Sequence, residues 1–264
     1  MVYETLEVTK GSDSDEGVMT VTLNRPAKKN ALTYQMFDDI AHVFSAVAYE
    51  DDVRAVVLTG AGGDFCSGAD LTATGGGPRK HQLQFMRHVA DAALAVHRCP
   101  KPTIAKVPGV AVGAGCSLAL GCDLIVASTN ARFSFIFARR GLAIDCGASW
   151  LLPRLVGLHK AKELVLLADM LSAQEADSFG LLNRLVAPEE LDAITYDLAR
   201  RLAAGPPLAL RMSKQMLNHS MMVSMDQALD DEAWCQTVNI AGTEDAGEAL
   251  AAFVEKRPPA FRGR

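Results

Sequence analysis

The sequence predicts an α/β fold of layered strands and helices that passes into a mainly helical C-terminal region. Three features of the 264 residues predict it. Strand-like and helix-like segments alternate through the first half, the pattern of helices packed on a sheet. Short apolar runs at 53–59, 104–107 and 123–127 have the length and composition of buried strands. Beyond Asp145 the apolar residues recur mainly at helical spacing.

Residues 2–9 and 17–24 alternate apolar with polar side chains about a polar turn, which predicts a β-hairpin. Pro26 ends the pairing, and 28–32 form a connecting loop. Thr33 has the place of a helix N-cap: Met36, Ile40, Val43, Phe44 and Val47 follow at helical spacing, and Asp51-Asp52 close that helix. The strand 53–59 runs into Gly60-Ala61-Gly62-Gly63. Residues 72–78, rich in glycine and threonine, read as a mobile lid. A helix over 80–97 carries Leu83, Met86, Val89, Ala93 and Val96, and Pro100 and Pro102 break the chain after it. The strand 104–107 turns at Pro108-Gly109 and reaches Gly113-Ala114-Gly115-Cys116, which opens a helix of small and apolar residues. Helices at 148–156 and 159–168 are divided by Gly157. Ser172 caps another, ended by Gly180, and 182–186 read as a short strand. Helices over 188–203, from Pro206-Pro207 to near Asn218, over 225–238 and over 244–253 complete the chain. No internal repeat of fixed period is present.

Hydrophobic residues make up 49% of the chain, enough for a substantial core and against disorder. A net charge of −5 gives no electrostatic case for nucleic acid or an anionic membrane as partner. No apolar run is long enough to span a bilayer, and residues 1–10 show no signal pattern. The six cysteines lack CxxC or Cys/His metal spacing and sit mostly among apolar neighbours, so they read as reduced core residues of a cytoplasmic protein.

The chemistry gathers between 65 and 150. Phe65-Cys66-Ser67-Gly68-Ala69-Asp70 follows a strand with small residues that let a ligand approach the backbone, and an N–H there, that of Ala69, can face an oxygen. Gly113-Ala114-Gly115 offers a second N–H at a helix N-terminus, where the dipole favours negative charge. Two such donors form an oxyanion hole, each worth roughly 3 kcal/mol to a developing enolate. Either turn alone is also what ordinary helix–sheet packing uses. One carboxylate, Asp145, follows on an apolar loop. Donors for an anion plus one base point to proton transfer next to a carbonyl.

These residues carry a family resemblance. Asn24-Arg25-Pro26 with Lys29-Asn30-Ala31-Leu32, Phe65 to Asp70 with Leu71, Pro108-Gly109-Val110-Ala111-Val112-Gly113-Ala114-Gly115 with Cys122-Asp123, Leu152-Pro153-Arg154-Leu155-Val156-Gly157, and the ending Ala252-Phe253-Val254-Glu255-Lys256-Arg257 resemble the crotonase (enoyl-CoA hydratase/isomerase) superfamily, in order and over essentially the whole chain. The resemblance implies a crotonase (ClpP-like) spiral of ββα units over 1–200, and a helical region over 201–264 through which copies form a homotrimer or hexamer. It implies an acyl-CoA substrate whose thioester carbonyl sits between the N–H groups of Ala69 and Ala114. It requires no metal and no cofactor beyond the coenzyme A of the substrate itself. Lys28, Lys29 and Ala31 would lie by the CoA nucleotide, Cys66, Ser67, Gly68, Asp70, Leu71, Gly113, Ser117, Phe137 and Trp150 would be further substrate-binding residues, and Lys256 would reach a neighbouring subunit's CoA.

The resemblance also locates a departure. Hydratases of this family handle water and the α-proton with two glutamates; Ser117 and Phe137 stand at those places here. Adding water needs a group to deprotonate it and a proton for the α-carbon. Ser117 is a poor base, and Phe137 can do neither. Asp145 remains, in Arg140-Gly141-Leu142-Ala143-Ile144-Asp145-Cys146-Gly147 with Trp150, a stretch similar to phenylacetate-type enoyl-CoA isomerases. A lone base can shift a double bond by moving a proton between the α- and γ-carbons of a dienolate. Phe135, Phe137, Ile144 and Trp150 would leave Asp145 poorly solvated and raise its pKa. The alternatives at this point are that Asp145 caps the helix beginning near Ala148, that the protein hydrates a 2-enoyl-CoA through water on Ser117, that Asp145 acts as a nucleophile, or that a silent protein binds CoA esters.

Other residues have plainer roles. His81 and His88 lack a partner at metal or triad spacing and read as surface or packing groups. Asp70 supports its turn, Asp123 is structural, and the methionines between 212 and 225 pack a helix or subunit contact. Lys28 and Lys29 are either solvated charges or phosphate contacts.

Overall fold

The computed structural model describes residues 3–72 and 81–264. The hairpin forms as its alternation predicts: β1 (Leu6–Lys10) pairs antiparallel with β2 (Val18–Leu23). Helix α1 (Tyr34–Ala46) begins at Thr33, whose hydroxyl accepts the Met36 N–H at 3.2 Å. It ends at Ala46 in a 3-10 turn, before Asp51-Asp52. The chain continues through β3 (Ala55–Gly60), α2 (Gln82–Arg98), β4 (Thr103–Val107), β5 (Val110–Val112), α3 (Ala114–Gly121), β6 (Leu124–Ser128) and β7 (Arg132–Ser134). Then come α4 (Ala148–Val156), α5 (Leu158–Leu167), β8 (Leu171–Ser172), α6 (Ala173–Ser178), β9 (Arg184–Val186) and α7 (Leu191–Ala203). Three helices end the chain: α8 (Pro207–Ser220), α9 (Met225–Gly242) and α10 (Asp245–Glu255). Residues 73–78, most of the stretch read as a lid, lie outside the described residues.

The strands form a six-stranded sheet in the order β1-β2-β3-β4-β6-β9, and a three-stranded sheet in the order β5-β7-β8. In the larger sheet every pairing but β1–β2 is parallel. Turns at Pro108-Gly109 and at 129–131 carry the chain from the larger sheet to the smaller one, and the Ser128 hydroxyl ties them by donating to the Pro108 carbonyl at 2.8 Å. The same step occurs after β3, where Cys66 bridges to Ala111. Strand, crossing, short strand and helix recur, which is the predicted spiral of ββα units.

The middle of the larger sheet, β3, β4 and β6, is buried on both faces, which explains its continuous apolar strands, whereas the edge strand β1 exposes Glu7, Thr9 and Lys10. On β3, Val56 and Leu58 join the core that holds Met36, Phe37 and Ile40 of α1. The alternate residues Ala55 and Val57 join Leu191, Ala199 and Ala203 of α7. The short strands β5, β7 and β8 are too brief to show a period; β5 lies between the predicted turn at Pro108-Gly109 and the predicted helix start at Gly113 to Cys116. Among the described residues no helix is long and apolar enough to cross a membrane.

Helix α3 is wholly buried, and its first turn lies against the backbone after β3. A Cβ on Gly115 would sit 2.5 Å from the Cys66 carbonyl oxygen and 2.6 Å from the Cys66 Cβ. Replacing glycine by alanine inside a helix gains up to about 1 kcal/mol of propensity. Overpacking a rigid contact costs about 1–3 kcal/mol, and here the obstacle is backbone. Gly115→Ala is therefore expected to lower the thermal unfolding midpoint by several degrees; an unchanged or raised midpoint would show that the two segments have room to separate.

Candidate active site

The segment 66–70 is pinned on both sides. Cys66 N–H donates to the Val110 carbonyl at 2.8 Å and its carbonyl accepts from Val112 N–H at 2.9 Å. Leu32 N–H donates to the Gly68 carbonyl, and Asp70 N–H to the Leu32 carbonyl, both at 2.8 Å. Ala69 lends no N–H to these pairings. Gly68 has φ +95°, and a Cβ there would lie 2.9 Å from the Val112 oxygen and 3.6 Å from the Ala114 nitrogen. Ala114 is the first residue of α3, preceded by Gly113 at φ +56°, and first-turn N–H groups have no intrahelical acceptor. The two expected donors thus lie on segments in contact, and glycine at 68 and 113 permits it.

Asp145 does not cap α4. The N-cap is Gly147, with no side-chain capping bond, and Asp145 offers the helix only its backbone carbonyl, to Ala148 N–H at 3.1 Å. Its Oδ1 is buried with no hydrogen-bond partner among the described residues. Burial raises its pKa above the ordinary carboxylate range, partly offset by a hydrogen bond from the neighbouring Cys146 thiol. The direction is the one expected for a poorly solvated base, although Phe135 and Phe137 belong to the core and, of the four residues expected around Asp145, Trp150 is the one that shares its cavity.

That cavity has a volume of about 790 Å³. Asp145, Cys146 and Trp150 form one wall, a face of α2 from Met86 to Arg98 a second, and a face of α8 from Lys214 a third. Ala69 and Ala114 are not on its walls, whereas Asp145 is. The α8 wall was not foreseen: it lies more than sixty residues beyond Trp150, and nothing in its spacing marks it. His97 is a further unforeseen lining residue, edge-on to Trp150 with ring centroids 5.5 Å apart.

Several expected binding residues take other roles. Ser117 is fully buried, and its hydroxyl donates to the Gly113 carbonyl at 3.2 Å, so it is not presented to a substrate water. Phe137 is a core residue. The Cys66 side chain is fully buried and receives the Gly68 N–H at 3.4 Å, with its thiol pushed up to about 12 by burial. Asp70 accepts from Thr72 and from Arg25, at 2.9 Å for the latter, which holds it at about 2; it supports its turn. Arg25 also engages the Ala31 carbonyl. Lys28 is exposed and Lys29 pairs with Asp64 at 3.3 Å. Ser67 donates to the Lys28 carbonyl, Leu71 is exposed, and Lys256 is exposed at the end of α10. His81 accepts from Leu83 N–H as the N-cap of α2, and His88 pairs with Asp38, as surface groups do. Asp123 accepts from Thr103 and Lys214, a structural role. Among the described residues no group of three or more His, Cys, Asp or Glu could hold a metal ion.

The enoyl-CoA hydratase/isomerase family model matches residues 13–264. The chain belongs to that family. Its relatives include the 1,2-epoxyphenylacetyl-CoA isomerase of Escherichia coli K12, 38% identical over 96% of this chain and 98% of that protein. They also include the 2,3-dehydroadipyl-CoA hydratase of the same strain, 36% identical over 94% and 96% of the two chains. Among solved structures, an enoyl-CoA hydratase from Bacillus anthracis superposes with a TM-score of 0.92 at 29% identity, covering 99% of this chain and 100% of the other. The crotonase fold is therefore shared along the whole chain, and relatives with both kinds of name lie at similar distance.

The raised pKa of Asp145 has a consequence for stability. Between its unfolded value, about 3.9, and its higher folded value, the native protein holds a proton that the unfolded chain has released. Stability is thus lost as pH rises through that window. Asp145→Asn removes the loss, so the variant should unfold at a higher temperature than the parent at pH 7, with the advantage fading below about pH 3.9. Unfolding scans across pH measure this; equal or lower stability at pH 7 would mean that the carboxylate is well solvated.

Proposed function

We propose that this family member is an enoyl-CoA isomerase that shifts a carbon–carbon double bond in an acyl-CoA thioester. One observation carries the proposal: among the described residues the acidic group on the cavity wall is Asp145 alone, with a buried oxygen that has no partner among them, while the two hydratase positions hold a buried, hydrogen-bonded serine and a core phenylalanine.

For a 3-enoyl-CoA the steps balance with a single base. The Asp145 carboxylate takes a proton from the α-carbon, the electron pair delocalises into a dienolate, and the negative charge settles on the thioester oxygen. The N–H groups of Ala69 and Ala114 would hold that oxygen, where preorganised donors are most effective. Asp145, now neutral, delivers the proton to the γ-carbon, and the double bond ends conjugated with the carbonyl. A raised pKa suits both halves, since a more basic carboxylate removes the proton more readily and the acid returns it. Ser117, tied to the Gly113 carbonyl, is not placed to hold a water for hydration.

Oligomerisation through 201–264 remains part of the proposal. Trp234, Ile240 and Phe253 are 74%, 71% and 82% exposed, and apolar groups of that size on consecutive helices suit contact between copies.

With a 3-enoyl-CoA the protein should generate conjugated enoyl-thioester absorbance, and with a 2-enoyl-CoA it should form no water adduct. Asp145→Asn should cut turnover by about 10²–10⁴-fold while CoA-ester binding persists. Loss of absorbance from the 2-enoyl-CoA would favour the hydratase reading, binding without turnover would favour a silent CoA-ester protein, and full activity in the variant would remove Asp145 from the mechanism.

A further inference from the structure

The α2 wall of the acyl chamber changes character along its length, facing an α8 wall that carries Gln215, Asn218 and His219, the last paired with Asp231. On α2 its wall begins with Met86, Val89, Ala93 and Leu94 and ends with His97 and Arg98, a run of about 18 Å at helical rise. The polar end is built by two helices. Lys214 of α8 reaches the Lys101 carbonyl at 3.2 Å, just past the end of α2, and lines the facing wall of the same cavity. The chamber wall therefore carries two cations, Arg98 and Lys214, against the single carboxylate Asp145. Lys214 shares its charge with Asp123 at 2.7 Å, which leaves Arg98 as the cation without an acidic partner among the described residues. His97, set edge-on against Trp150, adds an imidazole that can hydrogen-bond.

His97 is half-buried at that end, where an imidazole loses solvation, and Arg98 stands exposed beside it on the chamber's rim; a plain alkyl chain draws on neither. We propose that the chamber selects acyl-CoA substrates whose acyl group ends in a carboxylate: the carbon chain lies along the apolar part of α2, and the terminal carboxylate meets Arg98 and His97 beyond Trp150. The inference rests on the acyl-CoA reading of the site and names its substrate class. An uncharged polar end, such as a hydroxyl, would use His97 but gain nothing from Arg98, so the charge is the discriminating feature.

The test uses saturated thioesters, so it does not depend on which reaction Asp145 performs. Binding to the full-length protein is measured by calorimetry for matched pairs of CoA esters, straight-chain monoacid against diacid, from six to ten carbons. At one or more lengths the diacid ester should bind about five-fold tighter, as expected of a partly solvated charge contact, and the ratio should shrink with added salt. Arg98→Leu, a change on an exposed last-turn residue, should bring the two esters of that length within about two-fold of each other. Equal or tighter binding of the monoacid at every length would overturn the inference, as would a diacid preference that survives Arg98→Leu. Tight binding of both esters without that preference would leave the acyl-CoA reading standing and this inference refuted; failure of both to bind would refute the two together.

Discussion

The close approach of the segment after β3 to the first turn of α3 is the constraint on which the site depends. Cys66 to Asp70 is fixed by hydrogen bonds to β5 and to Leu32, and a side-chain carbon at Gly68 or Gly115 would meet backbone oxygen at less than the 3.0 Å that real Cβ atoms require. Glycine is therefore needed for packing before any chemistry is considered. The same contact brings Gly68, the neighbour of Ala69, against the Ala114 nitrogen, so the two segments proposed to carry the oxyanion donors meet because of how the spiral stacks one ββα unit on the next. Backbone donors held this way need little reorganisation during a reaction, which is the condition for electrostatic preorganisation.

Asp145 represents the opposite kind of feature. Nothing in the packing requires it: α4 is capped without its side chain, and one of its oxygens is buried with no partner among the described residues. Burying a carboxylate in this way is unfavourable to stability, and the raised pKa is the same cost expressed as proton affinity. A group that weakens the fold and yet borders an apolar chamber is the pattern expected of a functional residue. Cys146, buried next to it at φ +49°, supplies the thiol that moderates its basicity.

Much of the fold was legible because it rests on local signals. Thr33 and Ser172 cap helices as their types predict, Ser172 in a full capping box with Glu175, and Gly157 divides α4 from α5. Strands β5, β7 and β8 escaped notice because two or three residues cannot display a period. The glycine turns at 66–70 and 113–115 and the lone Asp145 were visible as motifs, whereas the fate of Ser117 was not: whether a hydroxyl faces a cavity or its own helix's first carbonyl is decided by tertiary packing. The α8 wall was invisible for a similar reason. Lys214 carries no signal in the sequence, and its place is set by Asp123 and the Lys101 carbonyl, far away in the chain.

In the proposed reaction one carboxylate carries a hydrogen from the α- to the γ-carbon without help from a second base. Isotope transfer addresses it directly: a 3-enoyl-CoA deuterated at the α-carbon is converted in ordinary water, and the product is read by NMR and mass spectrometry. A single shielded carboxylate predicts deuterium at the γ-carbon of the conjugated product, well above background. Product carrying only solvent hydrogen at that carbon, or a water adduct in its place, would contradict it.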